Sequence, residues 1–344
     1  MATVPSTPHQ PAAAAALTVL GLSWESGEAR LRLRTPDSVP PDAEPDGPLD
    51  VGGSKLPVSE LVPAVGLELN YRVGPNPRRH CIGHSSPRRS GGAYTDCLNR
   101  PQANEKTCVS CAVADAELAS NLHHAHTRER SMLDPLAVEH LEQTNILYLA
   151  AFRDGSVKVG TSTEHRKTKR WTEQGAWLAM EVALVKDGFL VRHLEDLITE
   201  KLGLTQAVAV KRKLAGMVNP QSDATLEQRL QPLADDVHRL VKSLDRLPGT
   251  QDAGSSPRDI EPVSELWSFP GSDNDVWDQL LQYPARLDAG THHLEVVAMC
   301  GRMAVLVRPG SSDRFVADIG QLFGVELDLG QYQPDQLAIQ DSLF

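Results

Sequence analysis

The sequence predicts an α+β protein: a small cysteine-held segment, a three-stranded sheet with flanking helices, and a β-rich C-terminal region. Three observations carry that prediction. Four of the five cysteines fall between positions 81 and 111, in a stretch nearly free of large apolar side chains. After Asn145, short apolar runs and helical periodicity alternate around an Asp-Gly turn. Beyond residue 290, four short apolar runs follow one another as strands do.

The 344 residues suffice for two or three compact units, and 40% apolar with 23% charged residues supports an ordinary core. No apolar run approaches the roughly 18–20 residues that span a bilayer. No Lys or Arg precedes the Ala12 to Ala16 run, so no signal peptide is expected. Residues 1–15 read as disordered, and the chain reads as cytoplasmic with no membrane partner. The net charge of −11 has the wrong sign for coating nucleic acid by bulk electrostatics. Basic residues nonetheless gather at Arg78, Arg79, Arg88 and Arg89, at Arg166 to Arg170 and at Lys211 to Lys213, while acids crowd 37–50 and 252–278. Such clusters are either a local phosphate-binding face or solvated helix surface.

The elements follow in order. Residues 16–73 form a β-containing segment, in which Ala29-Arg-Leu-Arg-Leu-Arg34 alternates as a half-exposed strand and Val65 to Val73 alternates again. A Pro-, Asp- and Gly-rich linker at 35–54 separates them. Residues 74–130 form the cysteine segment. An α/β unit spans 145–215. Within it, Ile146 to Phe152 is a buried strand, Asp154-Gly155 a hairpin turn, and Val157 to Gly160 a second strand. Thr163 to Gln174 is a helix, Ala179 to Val185 a third strand, and Phe189 to Leu202 a helix closed by Gly203. A helix within 221–246 carries Leu226, Leu230, Leu233, Val237, Leu240 and Leu244 on one face. A linker covers 248–260. The β-rich region, 261–344, holds strands at 293–299, 302–307, 315–319 and 325–329.

The stretch 74–112 has little that is large and apolar beyond Ile82, Tyr94, Leu98 and Val109. At ~25 cal/mol per Å2 this cannot offset the entropy of ordering about forty residues. Cys108-Val-Ser-Cys111 has the spacing that presents two thiolates to a tetrahedral metal, and Cys81 and Cys97 complete a closed four-cysteine site. Zinc binding contributes about 10–16 kcal/mol to the folding of such segments, so a structural zinc ion is expected. His84, in a Cys-x-x-His relation to Cys81, is an alternative ligand, and His123, His124 and His126 are more remote ones. A redox pair lacks its βαβ setting, and a disulfide framework suits an oxidising compartment. Cys300, in an apolar strand, reads as a core thiol.

Tyr148-Leu-Ala, followed ten residues after Tyr148 by Lys158-Val-Gly160 and Thr161, resembles the GIY-YIG nuclease pattern over roughly residues 145–215. More narrowly, Lys158-Val-Gly-Thr161, Arg170-Trp-Thr-Glu-Gln-Gly-Ala176 and the flanking cysteines resemble the bacterial family named domain of unknown function 2797. That family brings no established activity. The nuclease resemblance implies a tyrosine, Tyr148, that polarises or deprotonates water; an arginine on phosphate, Arg166 or Arg170; and a glutamate, Glu195, on Mg2+ or Mn2+. Lys158 stands where the pattern has its second tyrosine, and Ile146-Leu147 replaces Gly-Ile.

Helical spacing supports Glu195 separately, because it falls on the border of the apolar arc of Leu190, Val191, Leu194, Leu197, Ile198 and Leu202, while Asp196 and Glu200 face away. An edge charge on an amphipathic helix would look the same. Arg170 could equally pack on Trp171, and Tyr148 could be a half-buried strand tyrosine. The sequence therefore supports three functions: a metal-dependent phosphodiesterase acting on DNA or RNA, a non-catalytic nucleic-acid-binding module, and a scaffold or small-molecule enzyme reusing the fold.

Overall fold

A computed structural model describes residues 15–35, 59–85, 94–102, 105–244 and 259–334. Of the stretch predicted disordered, 1–15, all but Ala15, which is a strand residue, lies outside these residues, as do the cluster members Arg88 and Arg89, the acidic residues 37–50 and most of the 248–260 linker. The chain opens with β1 (Ala15–Glu25), β2 (Glu28–Arg34), β3 (Glu60–Pro63) and β4 (Glu68–Val73). The cysteine segment follows, with the short strands β5 (His84–Ser85) and β6 (Tyr94–Thr95) and the helix α1 (Val109–Leu122). After α2 (Pro135–Leu141) come β7 (Asn145–Ala151), β8 (Val157–Thr163), α3 (Lys167–Gln174), β9 (Leu178–Val185), α4 (Gly188–Leu202), α5 (Val210–Val218) and α6 (Asp223–Lys242). The remainder is β10 (Ile260–Ser268), β11 (Leu281–Gln282), β12 (Gly290–Cys300), β13 (Met303–Val307), β14 (Arg314–Asp318) and β15 (Glu326–Leu329). The α+β class is thus borne out, including the β-rich C-terminal region. No helix among the described residues is long and apolar enough to cross a membrane.

The α/β unit is built on β7 and β8, an antiparallel hairpin in which Tyr148 faces Gly160 and Ala150 faces Lys158. The strand β7 is buried along its whole length, as an uninterrupted apolar run requires. Ile146, Tyr148, Ala150 and Phe152 pack on one face with Trp171, while Leu147, Leu149 and Ala151 join the main core on the other. The expected helix from Thr163 begins later. Thr163 is still paired with Asn145 in the sheet, and a 3-10 turn at Glu164–Arg166 precedes α3. Two helices end on glycines in the left-handed region, α3 at Gly175 (φ 67°) and α4 at Gly203 (φ 69°), a conformation that glycine adopts without steric cost.

The sheet has four strands rather than three, in the order β10-β9-β7-β8. The extra strand carries Pro262 and is mostly exposed, which suits an edge, where a missing N–H is tolerated. A nine-stranded sheet runs β11-β14-β13-β12-β4-β15-β1-β2-β3, so residues on either side of the α/β unit share one hydrogen-bonded layer. One apolar core joins the two sheets, and within it Trp177 stacks on Phe269, 5.6 Å between rings.

The reading of β2 as half-exposed needs correction. Leu31 and Leu33 are buried on one face, and Arg32 and Arg34 are buried as well. The arginine face is covered because the cysteine segment lies on it: Arg32 bonds Asp96 at 2.8 Å and the Ile82 carbonyl at 2.6 Å, and Arg34 bonds the Cys97 carbonyl at 3.0 Å.

Candidate metal centre and the adjoining cavity

Cys81, Cys97, Cys108 and Cys111 are all buried, and their sulfurs lie within 4.8 Å of one another. They form a cluster of their own with no other apolar side chain in it, consistent with the missing hydrophobic core. The Cys97 and Cys108 sulfurs are 3.8 Å apart. A tetrahedron with metal–sulfur bonds of about 2.3 Å has edges of about 3.8 Å, whereas a disulfide needs about 2.05 Å. These four thiols can hold a metal ion, and the donor set is compatible with structural zinc. His84, on β5, is not part of the group.

Local backbone supports the site. The N–H groups of Cys108 and Gly83 donate to Cys81 Sγ at 3.2 and 3.4 Å. Together with the Cys97 thiol, the first of these causes, they lower the Cys81 thiol's proton affinity. Gly83 sits at φ 81°, and a Cβ there would lie 2.0 Å from the Thr95 carbonyl oxygen, so only glycine fits the turn. Cys108 and Cys111 open α1, where the helix dipole favours thiolate. The buried Arg34 guanidinium, which interacts with Cys97 and Cys81, would offset part of the negative charge that four thiolates bring.

A polar cavity of about 250 Å3 lies beside β8, the edge strand of the four-stranded sheet. Tyr148, Lys158, Arg170 and Glu195 line it, supplied by β7, β8, α3 and α4. Arg166 does not, and pairs instead with Glu173 at 3.9 Å. Tyr148 lies across Gly160, where an added Cβ would meet its ring carbon and hydroxyl at 2.6 Å. Its hydroxyl donates to Gln174 Oε1 at 3.2 Å, and burial pushes the phenol's pKa up. Lys158 Nζ donates to the Gln206 carbonyl at 3.0 Å. Burial, reinforced by Arg170, brings its pKa down to about 8. Glu195 is buried, and both of its carboxylate hydrogen bonds end on Oε2, from Arg192 at 3.0 Å and Thr161 at 3.4 Å. Trp171 packs against Tyr148 and Trp267.

Sequence reasoning missed two parts of this cavity. Arg192 stands one helical turn before Glu195, a spacing that could have revealed it. His123, His124 and His126, weighed only as zinc ligands, form a wall of the cavity instead. His126 Nε2 is 2.8 Å from Asp196 Oδ2, and Gln206 donates to Asp196 Oδ1 at 2.8 Å. Burial, with Arg192 and Arg170 nearby, lowers the His123 pKa to about 4. Outside the cavity the basic clusters are largely paired: Arg78 with Glu326, Arg79 with Asp288, and Lys167 with Glu181 and Glu265.

A buried four-cysteine centre, joined through α1 to an α/β unit with a polar cavity, defines the architecture. The profile of the family described as protein of unknown function (DUF2797) matches residues 78–258, more than half of the chain, and the chain belongs to this family. The match takes in all four cluster cysteines and every residue lining the cavity, and leaves β1 to β4 and β10 to β15 outside. No curated protein and no solved structure matches the chain.

Proposed function

We propose that the protein is a divalent-metal-dependent phosphodiesterase of GIY-YIG type acting on nucleic acid, with a structural zinc ion in its cysteine cluster. One observation carries the reading: Tyr148, Lys158, Arg170 and Glu195, from four separate elements, line one polar cavity. Mg2+ or Mn2+, which commonly takes one or two carboxylates plus substrate phosphate, would supply positive charge at a non-bridging oxygen. Glu195 fits as its holder because Oε1 accepts no hydrogen bond among the described residues. Asp196 does not, since His126 and Gln206 occupy both its oxygens.

Arg170 binds and orients the phosphate. Lys158, at about 8, can hold or release a proton at Nζ near neutral pH, which an ordinary lysine cannot. Tyr148 keeps its proton under burial, so its hydroxyl positions water rather than deprotonating it. The test is a panel of DNA, RNA and branched substrates with Mg2+ and Mn2+, comparing wild type with Glu195→Gln. Metal-dependent nicking lost in the variant is expected; no cleavage of any substrate overturns the reading.

The three cations Lys158, Arg170 and Arg192 around one cavity also favour a second reading, a module that grips nucleic-acid phosphates without cutting. It predicts binding that weakens steeply with salt and no metal-dependent products. A scaffold or small-molecule enzyme is the third, and a metabolite retained through purification would support it.

A further inference from the structure

Arg192 occupies the oxygen next to the one a metal would take. Its Nη1 lies 3.0 Å from Glu195 Oε2, and its Nη2 3.5 Å from His123 Nδ1. It rises from α4 three residues before Glu195, so the two side chains share a helix face. Both border the cavity together with Lys158 and Arg170. Of the two carboxylates there, Asp196 is more than half exposed and held by His126 and Gln206, so Glu195 is the buried carboxylate among three cations. A dication entering this cavity alone meets a neutralised carboxylate and positive walls. A phosphate ester meets the opposite field.

We infer that Arg192 couples the two ligands: it neutralises Glu195 when the cavity is empty and becomes a second phosphate-binding cation when a phosphodiester enters. The inference rests on the proposed cation site at Glu195. Without substrate, metal binding must displace the guanidinium and then tolerate it nearby. The phosphodiester oxygens offer Arg192 a charged hydrogen-bonding partner in place of the carboxylate, which is released to the metal. Each ligand therefore tightens the other, and linkage makes the two effects equal. His123 faces the same guanidinium, and with its pKa lowered to about 4 it is neutral at pH 7, so it adds no competing charge when Arg192 moves.

The test measures Mn2+ binding by electron paramagnetic resonance, with and without a hydrolysis-resistant phosphorothioate-linked dinucleotide. It uses the full chain with its cysteine site loaded. In wild type, the dinucleotide should tighten Mn2+ binding by about tenfold. Arg192→Ala should bind Mn2+ alone about tenfold more tightly than wild type, because a like charge near the ion is gone. It should bind the dinucleotide more weakly and lose the coupling. Arg192→Gln, which keeps hydrogen bonding without charge, should behave like Arg192→Ala; if it behaves like wild type, charge is not the cause and the inference fails. Unchanged or weaker Mn2+ binding in both variants also overturns it. If wild type binds Mn2+ no better than Glu195→Ala, the cation site itself falls and this inference with it. If Mn2+ binding needs Glu195 but ignores Arg192, only the coupling falls.

Discussion

Replacing Gly160 with alanine tests the seat of Tyr148 directly. The added Cβ would stand 2.6 Å from both the Tyr148 Cζ and its hydroxyl oxygen, where carbon contacts settle at about 3.5–4.0 Å. The ring must therefore retreat by about 1 Å. The ring borders the cavity but is itself fully buried and set edge-on to Trp171 at 5.8 Å, which leans on Trp267 at 5.3 Å, so retreat away from the cavity is blocked. Overpacking of this kind costs about 1–3 kcal/mol. Backbone strain contributes nothing, because Gly160 has no positive φ. Urea unfolding followed by tryptophan emission should show the loss in Gly160→Ala. In a Tyr148→Ala background the new methyl meets no ring, so the same substitution should cost less than about 0.5 kcal/mol. A single variant within about 0.5 kcal/mol of wild type, or an equal cost in both backgrounds, would refute the argument.

Metal analysis should find one zinc per chain, and stripping it should open the region between Cys81 and α1 to proteolysis; a chain that stays protected after chelation would defeat the structural role. Gly83→Ala should weaken zinc retention under competing chelator, since its Cβ would sit 2.0 Å from a backbone oxygen; unchanged retention would contradict the turn's role. The buried Lys158 has its pKa lowered from 10.5 to about 8. Below pH 8 it is charged in both states and the folded state bears the desolvation penalty. Between pH 8 and 10.5 the unfolded chain holds the proton more often, so stability rises with pH. Lys158→Met should thus stabilise the protein at pH 7 by up to about 3 kcal/mol, a gain that fades toward pH 10.5. Denaturation curves showing a pH-independent difference would contradict this.

Much of the α/β unit was legible because its signals are local. The Asp154-Gly155 turn, the unbroken apolar run of β7 and the arc on α4 each lie within a dozen residues. The nine-stranded sheet was not legible as a whole. Alternation marks β4 as a strand and an apolar run marks β12, but Leu69 pairs with Leu294, and no local pattern specifies a partner more than two hundred residues away. The strand β10 escaped notice because Pro262 and its acids resemble a loop, and only the free edge of β9 makes it a strand. The histidine wall was hidden for another reason. Its position depends on where α1 ends, fixed at one end by Cys108 and Cys111 and at the other by contacts such as Arg128 to Ser120 at 3.0 Å. Arg32 and Arg34 were taken for surface because alternation reports two faces but not what covers them.

The place of β15 has a consequence for how the polypeptide comes off the ribosome. Residues 326–329 lie between β1 and β4, hydrogen-bonded to both, so these two strands keep a gap that is filled only some 250 residues later. The β1–β2 hairpin, its β2 edge already paired with β3, must wait with its β1 edge unmatched while the cysteine segment and α/β unit emerge. Vectorial synthesis thus leaves this layer open until residues 326–329 emerge, and a nascent chain stalled before position 326 presents an unzipped seam to any neighbour that offers a strand.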